Sequence, residues 1–151
     1  SGKTFYSSSN KIILNRGELL IIPHLKDIED MFFIGESDKQ LDDPLRMRLS
    51  LTNNLIIDPE NNSAFFDFEK LKFPLILRKW REGDRFKPLG MQNFKKVSDF
   101  FIDKKYSLLQ KNQAWILCSQ EDIIWIVGSR IDERFKVTEK TKKMYIATVF
   151  D

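Results

Sequence analysis

The chain has 151 residues, of which 42% are hydrophobic and 31% charged, with a formal net charge of +3. That length supports one domain, or two small ones sharing a core, and the apolar content (13 Phe among it) excludes a disordered chain. A single cysteine and a single histidine exclude a disulfide framework and a Cys/His zinc site. The longest apolar run, Ile123–Val127, is too short to span a bilayer, and Ser1-Gly2-Lys3-Thr4 opens no signal peptide. These features predict a soluble, cytoplasmic protein with no membrane partner. The chain lacks an initiator Met, so it reads as part of something longer.

In chain order, the pattern is mostly strand. Lys11–Leu14 and Glu18–Ile22 flank a turn with Asn15 and Gly17, which predicts a hairpin closed by Pro23. Met31–Ile34 predicts a short buried strand. Leu45–Leu51 alternates, so Leu45, Met47, Leu49 and Leu51 should face a core and Arg46 and Arg48 should face out. Ala64–Phe68 and Pro74–Trp80 are further strands. In Lys95–Lys105 the period changes: Val97, Phe100 and Phe101 fall at i, i+3 and i+4, one face of a helix. Trp115–Cys118 and Ile123–Val127 predict a second hairpin, and Tyr145–Phe150 a last strand.

Charge divides the chain. Residues 1–75 hold 9 Lys/Arg against 12 Asp/Glu, whereas residues 76–151 hold 16 against 10, a net of −3 and +6. A basic second half points to an anionic partner. The change falls near Lys72–Pro74, which predicts a strand-rich linking region over 1–72, packed on or joined to a domain over 73–151.

Motifs for several chemistries are missing. There is no GxxxxGK[ST] or GxGxxG phosphate loop and no GxSxG elbow. His24 has no Ser or Cys beside it, Cys118 reads as a small buried hydrophobe, and no carboxylate pair stands out. No residue is therefore assigned a catalytic or metal-binding role.

The informative segment runs from Arg78 to Lys105. Arg78, Arg81, Arg85 and Lys87 fall close together, interleaved with Trp80 and Phe86. Arginine forks grip phosphates in pairs of bonds, and aromatic rings can stack on bases. Trp80 and Phe86 are thus candidate stacking platforms, but core packing is the favoured assignment for both. Lys95 and Lys96 are expected to begin the helix, where free N–H groups favour an anion. Gly83-Asp84 and Pro88-Leu89-Gly90 read as tight turns between these groups.

Gly83-Asp84-Arg85-Phe86, Pro88-Leu89-Gly90-Met91 and Lys95-Lys96-Val97-Ser98-Asp99-Phe100-Phe101-Ile102-Asp103 stand in this order, followed by Ile124-Trp125-Ile126-Val127-Gly128-Ser129-Arg130-Ile131-Asp132-Glu133-Arg134-Phe135. Together they resemble the C-terminal domain of the bacterial tRNA(Ile)-lysidine synthetase family, over roughly residues 71–141. One departure is Asn93-Phe94, where many members carry Gly two residues before the lysine pair. Asn tolerates positive φ next best, so the turn is expected to survive.

The resemblance implies an α+β, strand-rich fold with a β-sandwich-like core and few helices, shared with the phenylalanyl-tRNA synthetase β chain. It implies a parent enzyme that is an ATP-dependent carbon–nitrogen ligase acting on tRNA. That parent uses ATP, with Mg, and lysine to convert the wobble cytidine of the tRNA(Ile) anticodon to lysidine. The family's Ser-Gly-Gly-x-Asp-Ser loop is absent from these residues. The chain itself is therefore expected to need no cofactor, to be inactive alone, and to hold the tRNA acceptor stem. Arg78, Arg81, Arg85, Lys87, Lys95, Lys96 and Arg130 are the expected tRNA contacts, with Arg78, Arg81, Arg85, Lys95 and Lys96 on one face. A rival reading is a protein-interaction or dimerisation module using Phe32, Phe33, Phe65 and Phe66, with a homodimer in the parent.

Overall fold

In the computed structural model, the described residues are the backbone of 3–6, 10–15 and 18–23 together with residues 30–58 and 62–151. The chain divides into two compact units, Ser1–Phe32 and Phe33–Asp151. The first holds an antiparallel sheet of β1 (Lys3–Tyr6), β2 (Asn10–Asn15) and β3 (Glu18–Pro23), in the order β1-β2-β3. The expected hairpin is β2 and β3, with Leu14 opposite Leu19; β1 was not foreseen. The turn at Arg16-Gly17, and His24, lie outside the described residues.

The second unit is built on two sheets. One has the order β13-β12-β11-β8-β4 and the other β5-β6-β14-β7. The strands are β4 (Met31–Ile34, where the units divide), β5 (Gln40–Leu41), β6 (Arg46–Thr52), β7 (Ser63–Asp67), β8 (Leu75–Lys79), β11 (Trp115–Ser119), β12 (Asp122–Ile126), β13 (Arg130–Ile131) and β14 (Met144–Phe150). A two-stranded ribbon pairs β9 (Arg85–Phe86) with β10 (Lys95–Lys96). Two short helices follow it, α1 (Val97–Asp103) and α2 (Leu108–Gln113).

The alternation of β6 sets its burial. Met47 and Leu49 are buried and Arg46 and Arg48 exposed, as the pattern predicts, but Leu45 is half-buried and Leu51 is 47% exposed. β14 lies between β6 and β7, placing Ala147 opposite both Leu49 and Ala64. β11 and β12 are buried at nearly every position, because a sheet covered on both faces needs no polar side. β4 is buried only at its ends, with Phe33 47% exposed, so the expected buried strand is half-buried.

The sequence division near Lys72–Pro74 does not coincide with the Phe32/Phe33 division. Charge changes there, but the hydrogen-bond ladder does not respect the change: β5, β6 and β7 share a sheet with β14.

α1 forms on the predicted face, with Val97, Phe100 and Phe101 buried. They meet Phe86, Ile116, Cys118, Ile123 and Ile126, with Trp80 and Tyr106 packed at the edge. Phe101 lies at the centre, stacked on Tyr106 at 4.7 Å and edge-on to Trp80 at 5.2 Å. α2 buries none of its residues and is held at its start by a capping box, Ser107 with Gln110.

Phe101→Ala should cost about 3–5 kcal/mol, through lost transfer energy and the cavity left behind. Leu108→Ala, at a residue 75% exposed, should change stability by less than about 0.5 kcal/mol. Urea unfolding of the two variants checks both values.

Candidate nucleic-acid interface

Two carboxylates place the basic residues. The first is Asp84, in the turn between β8 and β9. Arg78 reaches it with both arms of its fork, Nη1 to Oδ2 and Nη2 to Oδ1, each at 3.0 Å. The same carboxylate accepts the Arg81 backbone N–H at 2.7 Å, and the Asp84 carbonyl accepts the N–H of Val97 at 2.9 Å. Gly83, at φ 91°, supplies the backbone conformation that this turn needs. Burial works against the Arg78 charge, but Asp84 and Cys118 together more than offset it and hold the guanidinium above its ordinary value. The Arg78 and Asp84 side chains are only 12% and 13% exposed. Arg78 is thus an internal brace, and the expectation that it offers its fork to a phosphate is corrected.

The second is Asp132, with no exposure. Its Oδ2 accepts the Lys87 N–H at 2.8 Å and Arg134 Nη2 at 3.0 Å. Its Oδ1 accepts the Arg134 N–H at 2.8 Å and Nε at 2.9 Å. Arg134 Nη1 donates to Asp122 at 3.1 Å. The Asp132 bonds, followed by its charge and that of Asp122, outweigh burial and raise the Arg134 pKa. The loop after Lys87 is fastened to the same turn. Glu133 N–H donates to the Lys87 carbonyl at 2.7 Å, Leu89 N–H to the Ile131 carbonyl at 3.0 Å, and Gly90 N–H to Glu133 Oε1 at 2.9 Å. Lys136 first, then Gly90, holds the Glu133 carboxyl below its usual range.

The remaining cations sort by what they touch. Arg85 and Lys96 are directly opposite each other across the β9–β10 ribbon, and both are exposed. No carboxylate partner is seen for either among the described residues. Lys95 is paired with Asp103. Lys87 is half-buried, its ammonium 5.3 Å from the centre of the Phe94 ring. Arg130 is half-buried, with its guanidinium 5.7 Å from the centre of the Phe100 ring. Arg81 is exposed.

Three expectations meet the structure here. Lys95 and Lys96 are strand residues, and Lys96 is also the N-cap of α1; the helix is only seven residues long and its first N–H, that of Val97, is taken by the Asp84 carbonyl. Phe86 is fully buried against Phe100 at 5.2 Å, which closes it to a base. Trp80 is half-buried, edge-on to Phe101, and spends its Nε1–H on the Lys111 carbonyl at 2.8 Å. In both, the apolar ring was more useful inside the small core than outside it. Asn93 is not among the residues at positive φ, so the turn before the lysine pair forms without that conformation. Sequence reasoning missed Phe94, 48% exposed beside Lys87 and Arg134; its lack of a periodic partner was the available signal. The rival aromatic patch is not one surface, because Phe66 is fully buried while Phe33 is exposed.

Among the described residues no cluster of three His, Cys, Asp or Glu side chains could hold a metal ion. No helix among them is long and apolar enough to cross a membrane.

Residues 75–148 match the family described as "TilS substrate C-terminal domain". A tRNA(Ile)-lysidine synthase of Parabacteroides distasonis is 40% identical over 149 residues, which is 96% of this chain and 34% of that protein. One from Bacteroides thetaiotaomicron is 34% identical over 145 residues, 96% of this chain and 32% of that protein. The chain thus spans about a third of the length of these curated relatives. A "Crystal structure of TILS C-terminal domain" superposes with a TM-score of 0.66 at 17% identity, covering 79% of this chain and 95% of the other. An N-terminal fragment of the phenylalanyl-tRNA synthetase β-subunit from Pyrococcus horikoshii superposes at 0.51 with 22% identity, covering 58% of this chain and 27% of that one. At these identities the structural likenesses establish the fold, strand-rich with few helices, as the sequence implied.

Asp132→Ala should cost about 3–5 kcal/mol, because it strands a guanidinium and leaves the Lys87 N–H unpaired; the urea midpoint reads this. A pH effect follows from Cys118, which lies beside Arg78. Burial pushes its thiol from 9.0 to about 11, against the opposing pull of Arg78. Between those values the unfolded chain has lost the proton that the folded chain keeps, so stability falls as pH rises. By pH 10.5 the loss should reach about 2 kcal/mol. Unfolding at pH 8 and pH 10.5 should show that part of the decline missing from Cys118→Ala.

Proposed function

The chain carries a domain of the TilS substrate C-terminal family, and on that premise we propose that it holds tRNA(Ile) by the acceptor stem for a tRNA(Ile)-lysidine synthase. The parent enzyme's chemistry, in which ATP activates the wobble cytidine and lysine displaces AMP, belongs to a catalytic domain outside these residues. This chain contributes grip and placement and does not turn over substrate alone.

The observation that carries the reading is the Arg85/Lys96 pair. Like charges directly opposite across two strands destabilise a ribbon, by about 0.2–1 kcal/mol. Here the pair is exposed, with no carboxylate partner among the described residues, while nearby Arg78, Lys95 and Arg134 all have one. A phosphate between the two cations removes the repulsion and adds charge-assisted hydrogen bonds. The ribbon is held at both ends: Asp84 fixes the entry to β9 and, through its carbonyl, the exit from β10, while Asp132 holds the start of the loop between the two strands.

RNA geometry fits such a site. An A-form stem hides its base edges in a deep, narrow groove, so a small domain grips phosphates and 2′-hydroxyls and reads shape. Arg85, Lys87, Lys96 and Arg130 are the residues assigned to that grip, with Arg81 at its edge. The catalytic domain and this one would bind one tRNA together, so modest affinity here gains from effective concentration.

Four phosphate contacts give a salt slope near −3 to −4, on the order of 100-fold weaker binding between 50 and 200 mM salt. The chain should bind tRNA(Ile) and an acceptor-stem hairpin alike and oligo-U poorly. Arg85→Ala/Lys96→Ala should reduce the slope by about 2. Fluorescence anisotropy at several salt concentrations measures both. Equal affinity for oligo-U, or no binding to either folded RNA at 50 mM salt, would reject the assignment.

A further inference from the structure

The loop from Lys87 to Lys95 exposes three large apolar side chains: Leu89 at 43%, Met91 at 41% and Phe94 at 48%. Leaving such groups in water is unfavourable, by about 25 cal/mol for each Å² that could otherwise be buried. A floppy loop could fold them away, but this one is tied down. Its backbone is bound through Lys87, Leu89 and Gly90 to the turn at Asp132–Glu133, and Met91 N–H closes a tight turn on the Pro88 carbonyl at 2.9 Å. Gly90, at φ 87°, makes that turn possible.

Cations surround Phe94. The Arg134 guanidinium lies 4.8 Å from its ring centre and the Lys87 ammonium 5.3 Å. Arg134 already donates to Asp132 and Asp122 through Nε, Nη1 and Nη2. Its charge is largely answered within the protein, so what it offers a ligand is chiefly a flat surface. A half-exposed ring with a fixed guanidinium and one lysine ammonium set over it matches the chemistry of a nucleobase with its phosphate. It does not match a purely apolar partner, which would leave the Lys87 ammonium unanswered.

We propose that Phe94, supported by Arg134, is a stacking platform for an unpaired nucleobase at the open end of the RNA stem. The inference rests on the acceptor-stem reading and refines it: the basic ribbon grips the duplex, and the adjoining loop takes the first base beyond it. Stacking releases no counterions, so this contact adds affinity without adding to the salt slope.

The test uses the whole 151-residue chain and two RNA hairpins of identical stem. One is blunt, and the other carries a short unpaired 3′ end with 2-aminopurine at its first position. The overhang should strengthen binding about tenfold and its fluorescence should be quenched in the complex. Phe94→Ala and Phe94→Leu should each erase that increment, with blunt-stem affinity and salt slope unchanged, and Phe94→Trp should restore it. Phe94 is half exposed and outside the core, so all three variants should fold, with urea midpoints lowered by no more than the loss of its cation contacts. Blunt-stem binding with no gain from the overhang would overturn the platform and leave the acceptor-stem reading intact, as would Phe94→Leu behaving like wild type. Absence of binding to either hairpin would overturn both.

Discussion

Asp132 has no solvent exposure, and a buried carboxylate is tolerable only when its oxygens are saturated. Here they are, by two backbone N–H groups and two nitrogens of Arg134. The two sides of this carboxylate belong to segments 45 residues apart, and no apolar contact could fix their relative position so narrowly. Dispersion is non-directional, whereas four donors converging on one carboxylate define a geometry. The end of β9, the loop between β9 and β10 and the turn carrying Arg134 all take their places from this one group.

The same logic separates two classes of positive charge on a protein whose formal net charge is small. Arg78 and Arg134 are committed inward, where each meets a carboxylate of low exposure. Removing a partner from such a pair is expensive, because the remaining charge cannot return to water. Arg85 and Lys96 are committed outward, where a charge costs little and attracts what diffuses past. A tally of basic residues merges the classes. The distinction matters because only the outward class can exchange counterions for a ligand.

Much of the fold was readable because burial imposes periodicity. The 3.6-residue spacing of Val97, Phe100 and Phe101 and the alternation of Met47 and Leu49 each leave a mark, and each appears where the pattern places it. What buries nothing leaves none. α2 contributes no core residue, so only its Ser107-x-x-Gln110 capping box could have announced it. Strand order was also silent, since a β14 between β6 and β7 has the same alternation as a β14 at an edge. Between Arg78 and Lys105, sequence proximity brought Arg85, Lys87 and Lys96 into one neighbourhood but could not tell a brace from a cation without a carboxylate. Arg78 and Arg85 look alike in the sequence, and only the position of Asp84 separates them. Aromatic residues failed for a related reason. Phe86 and Phe94 are both phenylalanines next to lysine, and which one the core claims depends on the β9–β10 register, which turns Phe86 inward.

The central position of β14 affects how the molecule is made. Its partners in β6 and β7 are synthesised long before it: Ser63 meets Thr148 across 85 positions, and Arg46 meets the Asp151 carbonyl across 105. During translation β6 and β7 emerge with no strand between them, each presenting an unsatisfied edge. The four-stranded sheet can close only when the last of its strands arrives. Such long-range pairing slows folding, because loop-closure entropy is lost before any ladder forms. On a ribosome the five-stranded sheet and α1, built largely from nearer neighbours, have the opportunity to assemble first, and the other sheet is finished last by a single strand sliding between two that have been waiting for it.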